Sequence, residues 1–295
     1  MKKLFIIIPS NRYQELLRET VDIIEKTKTQ CIFVKQNLPP FYKNHPYIKE
    51  IISKQTGVSY ARNLGIKFAL KHNAKILAFT DDDCIITKNW IKNIKKTFTN
   101  PNINVVFGRT LPYQPEKHPH LYCPCTFSKK NFEPIYKSTS IVENVGTGNN
   151  FAVTSKAIHK NGLFSTALGP NTKIPGSEDI DFFIRIIKNN FPIYYQNQAL
   201  IYHNKWLSEK DLFNLYQKYT FAITYVYLYH AFHTNIQYFK ILFHIFLKDF
   251  LYYFIYLKQI IHPKPFIKLI VNHTIIINNY FKACFYFFTN YKQLI

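Results

Sequence analysis

KILAFTDDDC, residues Lys75–Cys84, runs an apolar segment straight into three consecutive carboxylates, Asp81, Asp82 and Asp83. Three adjacent ionised carboxyls repel one another unless a cation or a cationic neighbour sits among them. Hard oxygen ligands select a divalent metal such as Mg or Mn, and Mg is commonly held by one or two carboxylates together with substrate phosphates. The alternative is an acidic loop that caps the helix starting at Lys88. Working outward, Leu4–Ile8, Cys31–Val34, Ile48–Ile52 and Ile103–Phe107 are also short apolar runs, while Tyr13–Lys26, Tyr60–Lys71 and Lys88–Thr97 carry helical periodicity. Strands alternating with helices predict an α/β fold with a mostly parallel sheet sandwiched by helices. Such sheets bind ligands beyond the carboxyl ends of their strands, where the three aspartates stand.

Further along, the pattern loosens. Residues 109–140 are rich in Pro, His and Lys without periodicity and read as a loop or short helices crossing the sheet edge. Ile141–Val145 reads as a strand, Gly146–Asn150 as a polar turn and Ser155–Lys160 as a short helix. A helix from about Ser177 to Lys188 has Ser177 as its expected N-cap, with Glu178 and Asp179 in the first turn, where the dipole favours carboxylates. Asp181 is spaced to pair with Arg185. Pro192–Tyr195 and Leu200–His203 read as two closing strands.

From Leu207 the composition changes: this segment holds nearly half of the chain's aromatic residues, and its lysines outnumber Glu209, Asp211 and Asp249. Its longest uncharged stretch, Tyr219–Phe239, is studded with Thr, His, Asn and Gln, a poor match to the roughly 20 apolar residues of a spanning helix. Ile241–Leu257 sets Lys248 among Phe and Tyr, the pattern of a helix lying at a membrane interface with its lysine snorkelling to headgroups. Helices that cap the sheet domain are the alternative.

The chain has 295 residues and is strongly basic, with 38 Lys+Arg against 17 Asp+Glu and a formal charge of +21. That points to nucleic acid or an anionic membrane surface, alongside a chain-wide bias toward Lys. Arginine, the usual reader of phosphate and bases, is confined to Arg12, Arg18, Arg62, Arg109 and Arg185, so no nucleic-acid partner is expected. Against this basic background, Asp81–Asp83, Asp179 and Asp181 gather in two short strings, leaving only Asp22, Asp211 and Asp249 elsewhere. A hydrophobic content of 47% with 8 Gly excludes a disordered or fibrous chain. The mean hydropathy of -0.15 argues against a multi-span transporter. Scattered, odd-numbered cysteines (Cys31, Cys84, Cys123, Cys125, Cys284) argue for a reducing compartment rather than a disulfide framework. The opening MKKLFIIIPSNR has too short an apolar run for a signal peptide and is expected to form the first buried strand.

ILAFTDDDC resembles the metal-binding DXD motif of family 2 glycosyltransferases with the Rossmann-like GT-A fold. IIIPSNR resembles that family's opening strand and nucleotide-contacting loop, and GVSYARNLGI the segment before its DXD strand. GTGNNFAVTSKAI resembles the acceptor-side strand and turn, and LGPNTKIPGSEDIDFFIRI with ALIYH the stretch carrying the catalytic carboxylate and a later histidine. The match spans about residues 4–206 in family order.

The resemblance implies a nucleotide-sugar-binding half over 1–108 and an acceptor-binding and catalytic half over 109–206, and the change in composition marks a helical, membrane-associating extension over 207–295. It implies transfer of a sugar, with inversion, from a nucleotide-diphosphate donor to a glycan or lipid-linked acceptor, in cell-surface polysaccharide biosynthesis. The enzyme would be cytoplasmic and peripheral on the inner face of the membrane. Asp81, Asp83 and His203 are the implied metal ligands, and Pro9, Ser10, Arg12, Arg62, Asp81 and Asp82 the donor-binding residues. Gly148, Asn149 and Asn150 would meet the acceptor, Asp179 would be the catalytic base, and Glu178 would orient the acceptor. Two positions depart from the family: Gln36 and Asn37 stand where an acidic residue commonly binds the donor's base, and Ser165 and Thr166 follow Phe164 where another acid is usual.

Elementary chemistry asks for the same parts. A departing nucleoside diphosphate needs its charge neutralised, and an acceptor hydroxyl needs a carboxylate to take its proton. For single residues a plainer role competes: a satisfied structural histidine for His203, a buried packing pair for Arg62, and a capped helix for Glu178 and Asp179. His118, His120, Cys123 and Cys125 offer four zinc-type ligands, but too tightly spaced for paired knuckles, so a solvated loop is expected. Two rival functions remain. A nucleotidyltransferase making nucleotide sugars would want glycines in the loop Pro9–Arg12, which has none. A non-catalytic basic protein binding nucleic acid or anionic lipid leaves the clustered aspartates unexplained.

Overall fold

Every residue of the first strand, β1 (Leu4–Ser10), is buried, as a central strand covered on both faces requires. The computed structural model describes residues 3–12, 17–42, 44–129, 133–135, 146–259 and 263–290. After β1 come α1 (Leu17–Thr27), β2 (Gln30–Gln36), β3 (Ile48–Ser53), α2 (Val58–Lys71) and β4 (Ile76–Thr80). They are followed by β5 (Cys84–Ile86), α3 (Lys88–Thr97), β6 (Val105–Pro112), β7 (Glu133–Ile135), β8 (Asn150–Thr154), α4 (Ser155–Asn161), α5 (Glu178–Lys188) and β9 (Ile193–His203). The sheet runs β3-β2-β1-β4-β8-β6-β9-β5, with β7 beside β9. β1, β2, β3 and β4 are mutually parallel, β8 is antiparallel to both neighbours, and β6 and β9 are parallel.

The period-2 alternation of the strands builds two cores. Leu4, Ile6 and Ile8 of β1 point with Ile76 and Ala78 into a cluster closed by Leu17, Val21 and Ile24 of α1 and Trp90, Ile91 and Ile94 of α3. The intervening residues face the other way: Ile7 lies under Gly65 of α2, where an added Cβ would come within 2.5 Å of its Cγ2. Phe79, Phe107 and Phe151 stack there with Phe164, Phe182 and Phe183. Full burial of each such ring contributes about 1.5–3 kcal/mol.

Several expectations change in detail. The two closing strands are one: the polar run Gln196–Ala199 is a register irregularity in β9 opposite Gly108 and Arg109. The Asn150 amide bridges it, donating to the Arg109 and Ala199 carbonyls (2.8 and 3.0 Å) and accepting from the Trp90 indole (2.8 Å). Residues 109–140, expected to be loop throughout, begin with the end of β6 and contain one 3-10 turn (Pro115–Lys117) and β7. The short strand β5 was not anticipated, because its three residues directly follow the aspartates. Ser177 has φ 60, outside the extended conformation an N-cap needs. Residues 13–16 of the first expected helix and the expected strand Ile141–Val145 lie outside the described residues.

The chain divides into two compact units, Met1–Thr166 with Glu178–Ser208, and Ala167–Ser177 with Glu209–Ile295. The second begins where the composition changes but also takes in a loop assigned from sequence to the catalytic half. Gly176 of that loop packs beside Tyr219 and Ala222. Within this unit α6 (Glu209–His233), α7 (Gln237–Gln259) and α8 (Pro263–Asn290) pack through aromatic rings. Tyr225 meets Tyr286 and Phe287, Tyr227 meets Tyr238, and Phe246 meets Tyr280, whose hydroxyl donates to Asp249 (2.6 Å). Among the described residues no helix is long and apolar enough to cross a membrane.

Candidate active site

Arg62 lies on the inner face of α2 and is 2% exposed. One guanidinium nitrogen donates to Glu178 Oε1 (3.0 Å), and the other to the Gly148 carbonyl (3.0 Å) and Asp81 Oδ1 (3.4 Å). Its plane is covered by Phe164 and Phe151, 5.4 and 6.0 Å from the ring centroids. Burial opposes its charge, and Asp81, Glu178 and Asp179 more than offset that effect. One side chain thus ties the end of β4, the turn before β8 and the start of α5.

Beside it, His203 at the end of β9 faces Asp83, with Nε2 3.3 Å from Oδ1. Its Nδ1 lies 2.7 Å from the Pro124 carbonyl, to which it donates, so Nε2 is the nitrogen turned toward the carboxylate. Burial alone would lower the imidazole, but the Asp83 hydrogen bond, with Cys123 and the Asp83 charge, holds it up at about 10. Burial likewise works to raise Asp83, yet bonding to His203 and the charges around it pull this carboxyl below its ordinary value. Arg12, half exposed, donates to Asp83 Oδ2 (2.8 Å), and its Nε lies 3.8 Å from Asp82. The Asn11 N–H also reaches Asp82, whose carboxyl is raised to about 6 by burial and by the neighbouring Asp83 charge.

This donor set fits a divalent cation. The carboxylates are hard oxygen donors, and a histidine whose far nitrogen donates to a backbone carbonyl is oriented as metal-bound histidines are. Cys84 comes within 4.8 Å of Asp83 and His203, but a soft sulfur donor is a poor match to Mg or Mn.

The third element is Asp179. An added Cβ on Gly148 would stand 2.2 Å from Asp179 Oδ2, so only glycine lets the carboxylate close on this turn. Asp179 Oδ1 accepts from the Ile180 N–H (2.9 Å), and the residue keeps part of its surface. Glu178, by contrast, is buried against Arg62; burial and the adjacent Asp179 raise its carboxyl to about 7 despite that guanidinium.

The family model described as Glycosyl transferase family 2 matches residues 5–162, more than half of the chain. The chain belongs to this family. Family resemblance therefore reaches Arg62, Asp81–Asp83 and Gly148, while the fold brings Glu178, Asp179 and His203 to them from beyond the matched region. Among curated proteins the chain is 25% identical over 174 residues to the O-antigen chain rhamnosyltransferase RfbN of Salmonella typhimurium strain LT2, covering 57% of this chain and 53% of that protein. It is 25% identical over 145 residues to the O-antigen chain rhamnosyltransferase WbaN of Salmonella anatum, covering 48% and 44%. The chain thus spans about half the length of the curated relatives it matches. The fold is similar to that of S. aureus TarS residues 1–349, with TM-score 0.57, 13% identity and coverage of 82% and 69%. It is also similar to GalNAc-T7 solved with UDP, GalNAc and Mn2+, with TM-score 0.51, 12% identity and coverage of 75% and 47%. These likenesses support the GT-A fold.

Within the family frame, some expected roles shift. Pro9 and Ser10 close β1, and the Ser10 hydroxyl donates to the Arg12 carbonyl (2.9 Å), shaping the loop that carries Arg12. Arg62, expected among the donor-binding residues or as a buried packing pair, has its terminal nitrogens on Glu178, Gly148 and Asp81. Glu178, expected to orient the acceptor, is buried and bonded to Arg62. Asn149 and Asn150 are both buried, and Asn149 donates to the Cys125 carbonyl (3.2 Å) while accepting from Thr110 and Thr147. Of the acceptor-side trio only Gly148 borders Asp179. Gln36, in the base-binding position of the family, accepts from the Gly57 N–H (2.6 Å).

The four zinc-type ligands do not converge. Asp83, Cys84 and His203 form the one such group among the described residues, and His118 stacks on Trp206 at 4.3 Å. The Pro124 carbonyl that orients His203 was missed from sequence, since a backbone acceptor leaves no residue-type signature.

The Gly148 contact yields a sharp expectation. Gly148→Ala should lower transfer turnover while the protein unfolds at nearly the same denaturant concentration, because the new methyl must displace the Asp179 carboxylate. A shift of this size costs about 10²-fold in turnover. Unaltered turnover in a folded Gly148→Ala variant would show that Asp179 has no fixed role.

Proposed function

We propose that this chain is a metal-dependent, inverting glycosyltransferase that moves a sugar from a nucleotide-diphosphate donor to a hydroxyl of a glycan or lipid-linked acceptor, in cell-surface polysaccharide biosynthesis. The observation that carries this reading is the placement of Asp81–Asp83, His203, Arg62 and Asp179 together where β4, β9 and α5 meet, in a chain of this family. Relatives named as O-antigen rhamnosyltransferases support the surface-polysaccharide setting. Asp81, Asp83 and His203 would hold Mg or Mn, which, when bound, supplies charge neutralisation for the leaving diphosphate.

Asp179 accepts the acceptor's proton as its oxygen attacks the anomeric carbon, on the face opposite the departing diphosphate, so the configuration inverts. Arg62 keeps Glu178 and the Gly148 turn fixed around that base. Arg12, half exposed on Asp82 and Asp83 at the mouth of the first loop, would meet a donor phosphate there. A lipid-linked acceptor places the reaction at the cytoplasmic face of a membrane.

A panel of nucleotide sugars incubated with the protein and Mn tests this without a known acceptor. One donor should be hydrolysed slowly, a chelator should abolish the hydrolysis, and Mn or Mg should restore it. Hydrolysis that persists in chelator would remove the metal from the proposal, and no hydrolysis of any donor would count against the reaction itself.

A further inference from the structure

Helix α7 presents two adjoining stripes to solvent. Phe239, Phe243, Leu247 and Leu251 recur every fourth residue and are 49%, 57%, 37% and 48% exposed. Lys240, His244 and Lys248, one position further on, form an exposed basic row along the same edge. The only acid of the helix, Asp249, is turned inward to the Tyr280 hydroxyl of α8. The opposite face is already satisfied, since Tyr238, Ile241 and Leu242 are buried and Phe246 packs on Tyr280. The apolar stripe is therefore not left over from packing the unit. Large apolar side chains in a continuous exposed row mark an interaction surface.

We infer that this face of α7 is a membrane-docking surface, lying in the headgroup region of an anionic bilayer with its phenylalanines and leucines among the acyl chains and its lysines on lipid phosphates. The inference deepens the membrane-side location proposed above, and it stands apart from sugar-transfer chemistry, which the first unit carries. Charge selects the occupant: the basic row, whose one neighbouring acid Asp249 is turned to Tyr280, complements anionic lipid, whereas two copies meeting through this face would bring like charges together. No described helix is long and apolar enough to cross a membrane, and the adjoining apolar and basic stripes suit a helix lying in the headgroup plane.

Co-sedimentation of the full chain with vesicles tests it. The wild-type protein should pellet with mixed phosphatidylcholine–phosphatidylglycerol vesicles and far less with phosphatidylcholine alone. Phe243→Ser with Leu247→Ser should abolish pelleting. Lys240→Gln with Lys248→Gln, exposed substitutions that leave packing alone, should weaken partitioning about 25-fold, roughly fivefold per charge. Donor hydrolysis measured on the same samples should be unchanged, so that failure here and failure of the glycosyltransferase reading are told apart. Equal pelleting of both variants and wild type would overturn the inference. So would a wild-type chain that ignores vesicles but dimerises, with Phe243→Ser and Leu247→Ser restoring the monomer, since the face would then belong to a second copy.

Discussion

Asp179→Asn is expected to lower sugar-transfer turnover by about 10²–10⁴-fold with donor affinity unchanged, the usual contribution of a positioned general base. The amide keeps the size of the carboxylate and can still lie over Gly148, but it cannot take the proton of an attacking hydroxyl. Of the two neighbouring acids, Asp179 retains exposed surface, whereas Glu178 is buried with an oxygen on Arg62. Glu178→Gln should therefore cost less and act mainly through Arg62, visible as a loss of stability accompanying any loss of rate. Transfer rate against acceptor concentration, with donor binding by calorimetry, separates these outcomes. Near-normal turnover in Asp179→Asn beside a dead Glu178→Gln would exchange the two roles.

How far these roles could be read in advance differs from residue to residue. The aspartate string announced itself, because KILAFTDDDC couples a buried strand to a charge density that calls for positive charge, and Arg12, Arg62 and His203 stand beside it. The helix run of Asp181 and Arg185 was equally legible: an i,i+4 spacing fixes the contact, and the guanidinium lies 2.8 Å from the carboxylate. What escaped is what depends on approach between distant segments. Nothing local in the residues around Asn150 says that its amide will fill a gap between β6 and β9 rather than face a substrate. Nor does Gly148 declare that the reason for its missing side chain is Asp179, thirty-one positions later. The break between two closing strands looked real since Gln196–Gln198 is polar, yet a strand with a register shift carries polar residues without ending. For Arg62 the resemblance implies donor binding and the residue itself allows a buried packing pair; only the third dimension shows which protein groups its donors meet.

Those contacts make Arg62→Met the second large effect, read directly in stability. Removing one partner of a buried ion pair leaves the other charge uncompensated and costs about 3–5 kcal/mol. Asp81, with a third of its side chain exposed, is screened by water, so most of the loss comes from Glu178 and the lower end of that range is expected. The pH dependence has a definite sign. Glu178 already titrates near 7 in the native protein against an ordinary 4.5, so the folded chain keeps a proton that the unfolded chain releases. Stability from this group therefore falls as pH rises from about 4.5 to about 7. Without the guanidinium the native carboxyl moves higher still, so the window lengthens, and the deficit of Arg62→Met should be greater at about pH 8 than at about pH 5. Adding Glu178→Gln removes the stranded charge and should return about 1–3 kcal/mol. Urea unfolding of the wild type, both single variants and the double variant at the two pH values measures all of this. A single-variant loss under about 1 kcal/mol, flat with pH, would mean that the pair behaves like a surface contact and that the site is held together by something other than Arg62.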